Sequence, residues 1–199
     1  MAGQRGSSEP ESDRSGAATD GPEAKKTLHA AERDREANRE RREEFLATIN
    51  AIPVEKLIFR DESGVTTQMT RQWGRAPKGE RILETTPQGR WTVLTTLGAM
   101  SLRGIDAAMT IPSVKVAGIR RQIEACGARL LYLPPYSPDL NPIEQAWSKF
   151  KQFLRSAKAR TDQALDQAIS DALKTISAEN PAAWFLHCGY RGTPIREPL

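Results

Sequence analysis

Large apolar side chains are missing from the start of the chain: after Met1 the first is Leu28, and the residues between are mostly Gly, Ser, Glu, Asp, Pro and Ala. Such a stretch has too little apolar surface to offset the entropy of ordering, so residues 1–24 are expected to form a disordered tail. From Lys25 to Asn50 the composition becomes helix-forming. Glu32 and Arg35, then Glu36 and Arg39, stand three apart, and Leu28, Phe45, Leu46 and Ile49 are the sizeable apolar anchors, which predicts a charged, mostly solvated helical linker over 25–50. Pro53 ends it. Val54 to Arg60 reads as a strand placing Leu57, Phe59 and Asp61 on one face, with Asp61-Glu62-Ser63-Gly64 as its exit. A polar turn carries Arg71, Arg75, Lys78 and Arg81, and is followed by a clear strand over 91–97 and a weaker one over 105–111. A helix is predicted over 116–126, stopped by Gly127, then a strand over 128–133 and helices over about 142–156 and 161–177. Strands first, then strand and helices in alternation, indicate an α/β domain spanning 51–190, followed by a short tail over 191–199.

The densest local signal is Leu133-Pro134-Pro135-Tyr136-Ser137-Pro138-Asp139-Leu140-Asn141-Pro142-Ile143-Glu144, continuing into Gln145-Ala146-Trp147-Ser148-Lys149. Two prolines end the apolar run, Asn141-Pro142 reads as N-cap and first helical position, and Glu144 falls third in the helix. That position admits two roles for Glu144. It is either the return half of an Asn-x-x-Glu capping box or a carboxylate presented at a helix start to a metal ion. On the helix itself Ile143, Ala146, Trp147, Phe150 and Leu154 form a stripe to bury, while Glu144, Ser148, Lys151 and Arg155 recur on another face.

Composition narrows the function classes only modestly. The chain has 199 residues, 38% of them hydrophobic, which suits one core with some disordered length attached. No apolar run is long enough to cross a bilayer and residues 1–24 lack an apolar signal core, so a cytoplasmic protein without a membrane partner is expected. Cys126, Cys188, His29 and His187 do not stand at metal-finger spacing, which argues against zinc, and His187-Cys188 is expected to pack in the C-terminal region rather than supply a nucleophile. A net charge of +4 is compatible with a polyanionic partner, since Lys and Arg that neutralise phosphates release counterions.

The run from Leu133 to Glu144 resembles the C-terminal signature of DDE transposases of the Tc/mariner superfamily, specifically the bacterial insertion sequence 630 family. The likeness extends from Lys25-Lys26-Thr27-Leu28 to Phe185-Leu186-His187-Cys188-Gly189-Tyr190 and takes in Phe59-Arg60-Asp61-Glu62-Ser63-Gly64 and Gly74-Arg75-Ala76-Pro77-Lys78-Gly79-Glu80-Arg81. The resemblance implies a ribonuclease-H-like mixed sheet with flanking helices, and Asp61 and Glu144 as catalytic, metal-holding carboxylates. Mg²⁺ or Mn²⁺ is the implied cofactor, because hard divalent ions take oxygen ligands and a pair of them about 3.5–4 Å apart activates the nucleophile and stabilises the leaving oxygen. DNA is the implied partner, with Arg71, Arg75, Lys78, Lys115 and Lys151 as candidate phosphate contacts, together with a second copy of the chain or an intact transposase.

Three departures from the pattern qualify those implications. The family's second aspartate is missing: its spacing from the glutamate lands on Met109, and an apolar strand and a helix are absent around 105–115, leaving the fold incomplete. A thioether does not hold Mg²⁺, so metal binding should be weakened, and Asp106 would substitute only after an odd register slip. Arg60 replaces an apolar residue on a strand expected to be buried on both faces, where an unpartnered guanidinium is costly. No helix-turn-helix precedes Pro53. The expectation is therefore a transposase-family protein for metal-dependent DNA strand cleavage and transfer, impaired when alone. The alternative is a non-catalytic remnant that binds DNA or an intact transposase.

Overall fold

A computed structural model describes residues 30–112 and 119–191. Three strands, β1 (Phe59–Thr66), β2 (Val93–Ser101) and β3 (Gly104–Pro112), form an antiparallel sheet in the order β1-β2-β3. Five helices accompany it: α1 (Glu36–Asn50), α2 (Ile119–Ala125), α3 (Ile143–Ala157), α4 (Asp162–Lys174) and α5 (Glu179–His187). Among the described residues no helix is long and apolar enough to cross a membrane.

The expected α/β architecture is present, with differences that have physical causes. β1 starts later than predicted because Val54 and Leu57 are buried from a 3-10 turn, Val54–Lys56, that follows Pro53. Asp61 is consequently an interior residue of the strand rather than its exit. Segment 128–133 is not a strand: among the described residues it joins no ladder, so the sheet is antiparallel rather than mixed. An apolar run becomes a strand only where a neighbouring edge supplies hydrogen bonds, and here Leu131 and Leu133 instead line a groove with Phe45 of α1. Gly127, at φ 76°, stops α2 as expected, and residues 113–118 of the predicted helix lie outside the described residues. The region of the disordered-tail expectation lies outside them as well.

One sheet face meets the helices and the other does not. Phe59, Ser63 and Val65 are buried while Arg60, Glu62 and Gly64 are exposed, the period of two of a half-covered strand. Arg60 therefore escapes the cost anticipated for it. It reaches Glu62 at 3.8 Å across solvent-facing backbone. Met109 is likewise exposed, at 57%.

The covered face packs on the predicted stripe of α3, where Ile143, Ala146, Trp147, Phe150 and Leu154 are all buried. Leu165, Ala168, Ile169 and Ala172 of α4 extend this core, and Phe185 of α5 meets Phe59 edge-on with ring centroids 5.2 Å apart. The Lys149 ammonium fastens the three helices by donating to the Thr175 carbonyl at 2.6 Å and to Asn180 Oδ1 at 2.8 Å. α1 is not freely solvated: Ile49 is buried, and Arg42 donates to both carboxylate oxygens of Asp139 at 3.1 and 2.8 Å. Arg33 reaches the same carboxylate at 3.2 Å.

Candidate metal centre

Glu144 comes to β1 because of one glycine. Asp61 pairs with Gly98 across the ladder, and a Cβ on Gly98 would stand 2.6 Å from Trp147 Cη2, so the bare backbone there leaves the seat for the indole. Ile143 Cδ1 lies over the same spot. These two contacts seat the start of α3 on β2 at the residue that pairs with Asp61 of β1. The side chains of Asp61 and Glu144 are thereby brought within hydrogen-bonding reach of each other.

Two carboxylates that close repel when both are ionised. Partial desolvation raises the Glu144 carboxyl above its ordinary range, the Asp61 charge and a hydrogen bond with Asp61 raise it further, and the positive charge of Lys151 opposes them. Of the candidate basic residues, Lys151 is the one whose charge bears on Glu144. Asp61 itself is half-buried, on the covered face of the sheet.

Local backbone geometry bears on the capping role admitted for Glu144. Asn141 is extended, at φ −112° and ψ 94°, and Pro142 is helical, at φ −60° and ψ −28°, so Asn141 stands where an N-cap stands. Yet the box is not made. The Asn141 backbone N–H donates to the Pro138 carbonyl at 3.0 Å, leaving no donor for Glu144 to accept, and Asn141 Oδ1 has no partner among the described residues. Its Nδ2 donates instead to Asp61 Oδ2 at 3.2 Å. The side chain suited to closing the helix end is turned to the acid of β1. Sequence reasoning missed this, since a capping asparagine and a site asparagine look alike in the chain.

Arg71 is exposed and donates from Nε to Ser156 Oγ at 2.8 Å. With Gln72, Trp73, Gln152 and Arg155 it lines an open groove along α3, and Trp73 is 88% exposed there. Arg75 and Lys78 are exposed in the same long β1–β2 loop, and Lys115 lies outside the described residues. Arg160 was not anticipated, and it anchors the start of that loop: it donates to the carbonyls of Thr67 and Met69 at 2.9 Å each and to Thr70 Oγ1 at 2.7 Å. Asp106 does not join the centre. It accepts from Ser101 Oγ at 3.1 Å and pairs with Arg103 at the β2–β3 turn. Asp139, read as a turn residue, is held by Arg42 and Arg33, and Cys188 is buried at the end of α5 with its thiol pushed up to about 11 by desolvation and the Asp139 charge.

Residues 112–166 match the family of DDE superfamily endonucleases. That segment includes Glu144, Lys151 and Arg155 but not Asp61. No curated protein matches the chain. Among solved structures, the chain is similar to the Mos1 transposase paired-end complex with left transposon end at 14% identity and a TM-score of 0.60, covering 87% of this chain and 68% of that one. The Mos1 mariner paired-end complex with Mn matches at 12% identity and 0.59, covering 84% and 62%, and the Mos1 strand transfer complex at 13% and 0.54, covering 89% and 68%. The chain thus spans about two thirds of the length of these chains. The three-stranded sheet with its helices has the ribonuclease-H-like fold of the Mos1 catalytic domain.

Whether the residues present suit a divalent cation can be asked of their chemistry. The pair supplies carboxylate oxygens, and among the described residues the neighbouring Asn141 Oδ1 is a buried oxygen without a partner and no soft sulfur or imidazole donor joins the group. This donor set fits a hard, oxygen-seeking ion. It is short of charge: among the described residues no three His, Cys, Asp or Glu side chains come together as a metal group.

Proposed function

We propose that this chain is a transposase-family protein of the insertion sequence 630 kind, whose activity is metal-dependent cleavage and transfer of DNA strands, and that alone it is catalytically impaired. The observation that carries the reading is the convergence of Asp61 and Glu144, distant in sequence, on one point of a ribonuclease-H-like sheet. Asp61 and Glu144 hold Mg²⁺ or Mn²⁺, which when bound supplies Lewis-acid stabilisation to the attacking and leaving oxygens of the phosphodiester. Lys151, beside the pair, positions a phosphate by charge. Arg71 and Arg155, with exposed Trp73 between loop and helix, provide a groove for the backbone and for stacking of an unpaired base. Arg75, Lys78 and Lys115 add electrostatic attraction to DNA. Impairment follows from the acid count: two carboxylates neutralise less cation charge than three, and neither Met109 nor Asp106 stands in for the third.

The test is a nicking assay with the full chain on DNA bearing the ends of its element, with Mg²⁺ or Mn²⁺. Cleavage at or near background, together with salt-sensitive DNA binding, is the expected result. Robust cleavage that Asp61→Ala abolishes would overturn the impairment and uphold the site. Absence of any salt-sensitive binding would overturn the assignment of DNA as partner.

A further inference from the structure

We propose that the Asn141 carboxamide oxygen is the third protein oxygen of the divalent-cation site, an inference that rests on the metal-site reading of Asp61 and Glu144. Asn141 is 6% exposed, and its Oδ1 is buried without a hydrogen-bond partner among the described residues. A buried amide oxygen left unpaired costs about 1–3 kcal/mol, so it persists where another demand holds it. Ordinary demands do not account for it here. The helix-capping role is unfilled, and among the described residues the one hydrogen bond of the side chain runs from Nδ2 to Asp61 Oδ2 at 3.2 Å.

The carboxamide is two-ended, and its terminal torsion is broad and roughly two-fold. Facing bare carboxylates, the amide presents its donor, as in this structure. Facing a cation held by those carboxylates, it gains by turning its oxygen inward, because hard divalent ions accept asparagine carbonyls alongside carboxylates. A neutral donor also suits this position electrostatically. Two ionised carboxylates close together already repel, and a third charge in the same place would add to the repulsion in the metal-free protein. An amide adds an oxygen without adding that charge, which gives a third protein ligand to a weakly held ion whose remaining positions are left to water.

Two measurements on the full chain decide the matter. In the first, Mn²⁺ binding is followed by electron paramagnetic resonance for wild type, Asp61→Asn and Asn141→Ala. Asp61→Asn should lose binding, and Asn141→Ala should weaken it about tenfold, at the lower end of the effect of removing a group that supports a metal site. In the second, wild-type protein carrying ¹³C at the asparagine side-chain carbonyls is titrated with Mg²⁺. The Asn141 Cγ resonance should move downfield as its oxygen coordinates.

A role limited to positioning Asp61 through Nδ2 would lower affinity in Asn141→Ala and leave that resonance in place, and this outcome overturns the inference. Equal affinity of Asn141→Ala and wild type overturns it also, while loss in Asp61→Asn still upholds the metal-site reading. If Asp61→Asn binds as wild type does, the metal-site reading itself fails. The resonance arm needs no variant, so it decides the case even if Asn141→Ala does not fold.

Discussion

At the scale of single residues, the centre is an electrostatic compromise. The Glu144 carboxyl is raised first by desolvation and then by Asp61, with Lys151 pulling the other way. Replacing Asp61 by Asn removes a negative neighbour while keeping a similar shape, so the Glu144 carboxyl should titrate at a lower pH in Asp61→Asn than in wild type. A ¹³C titration of the glutamate side chains reads this directly, and an unchanged or higher value would contradict the placement of the two acids. The candidates themselves were legible in the chain: Asp61 and Glu144 lie in runs distinctive enough to single out. The direction of the Asn141 side chain was not, because it depends on Pro138 taking the backbone contact that a capping box would use. That is a property of the folded loop.

At the scale of elements, the seat of α3 on the sheet sets the spacing of the acids. Gly98→Ala would drive a methyl into Trp147 at 2.6 Å from Cη2 and 2.8 Å from Cζ2, and overpacking of this kind costs about 1–3 kcal/mol. Denaturant unfolding should show that loss. The Glu144 carboxyl should also fall toward its ordinary range as α3 is pushed off β1. A variant as stable as wild type would mean that the indole yields freely. The stripe of α3 was predictable because period 3.6 and burial coincide from Ile143 to Leu154. The fate of 128–133 was not, since its apolar pattern is that of a strand and only the absence of a paired edge among the described residues keeps it from being one. Helix α5 was read only as a packed tail: it is short, carries Pro181 in its first turn and buries Pro181 and Phe185.

At the scale of the whole molecule, α1 is fastened to the body of the domain through Asp139. Burial alone would raise that carboxyl, but the hydrogen bonds and charges of Arg42 and Arg33 outweigh it and hold the group below its ordinary range. A carboxyl depressed in the folded state contributes stability above its unfolded pKa and loses that contribution as pH falls through the folded value. Asp139→Asn should therefore lower the melting temperature at neutral pH, by the equivalent of about 1 kcal/mol for a partly exposed pair, and the difference from wild type should close below about pH 4. A difference that persists in acid would assign the effect to packing. The helix was legible as charged, and its attachment was not, because Arg42 and Asp139 meet only through the turn that Ser137 and Tyr136 shape, the latter at φ 57°.

Asp61 sits on the margin of the sheet. Thr67 donates its backbone N–H to Thr92 at 3.2 Å, and by antiparallel alternation the amides of Arg60 and Glu62, on either side of Asp61, face away from β2. Among the described residues β1 is thus zipped along one side only, while its covered face ties it to α3 and Phe59 ties it to Phe185 of α5. A global melting curve reads this strand and the helical core together, so the integrity of the centre has to be judged by a probe placed on β1 itself.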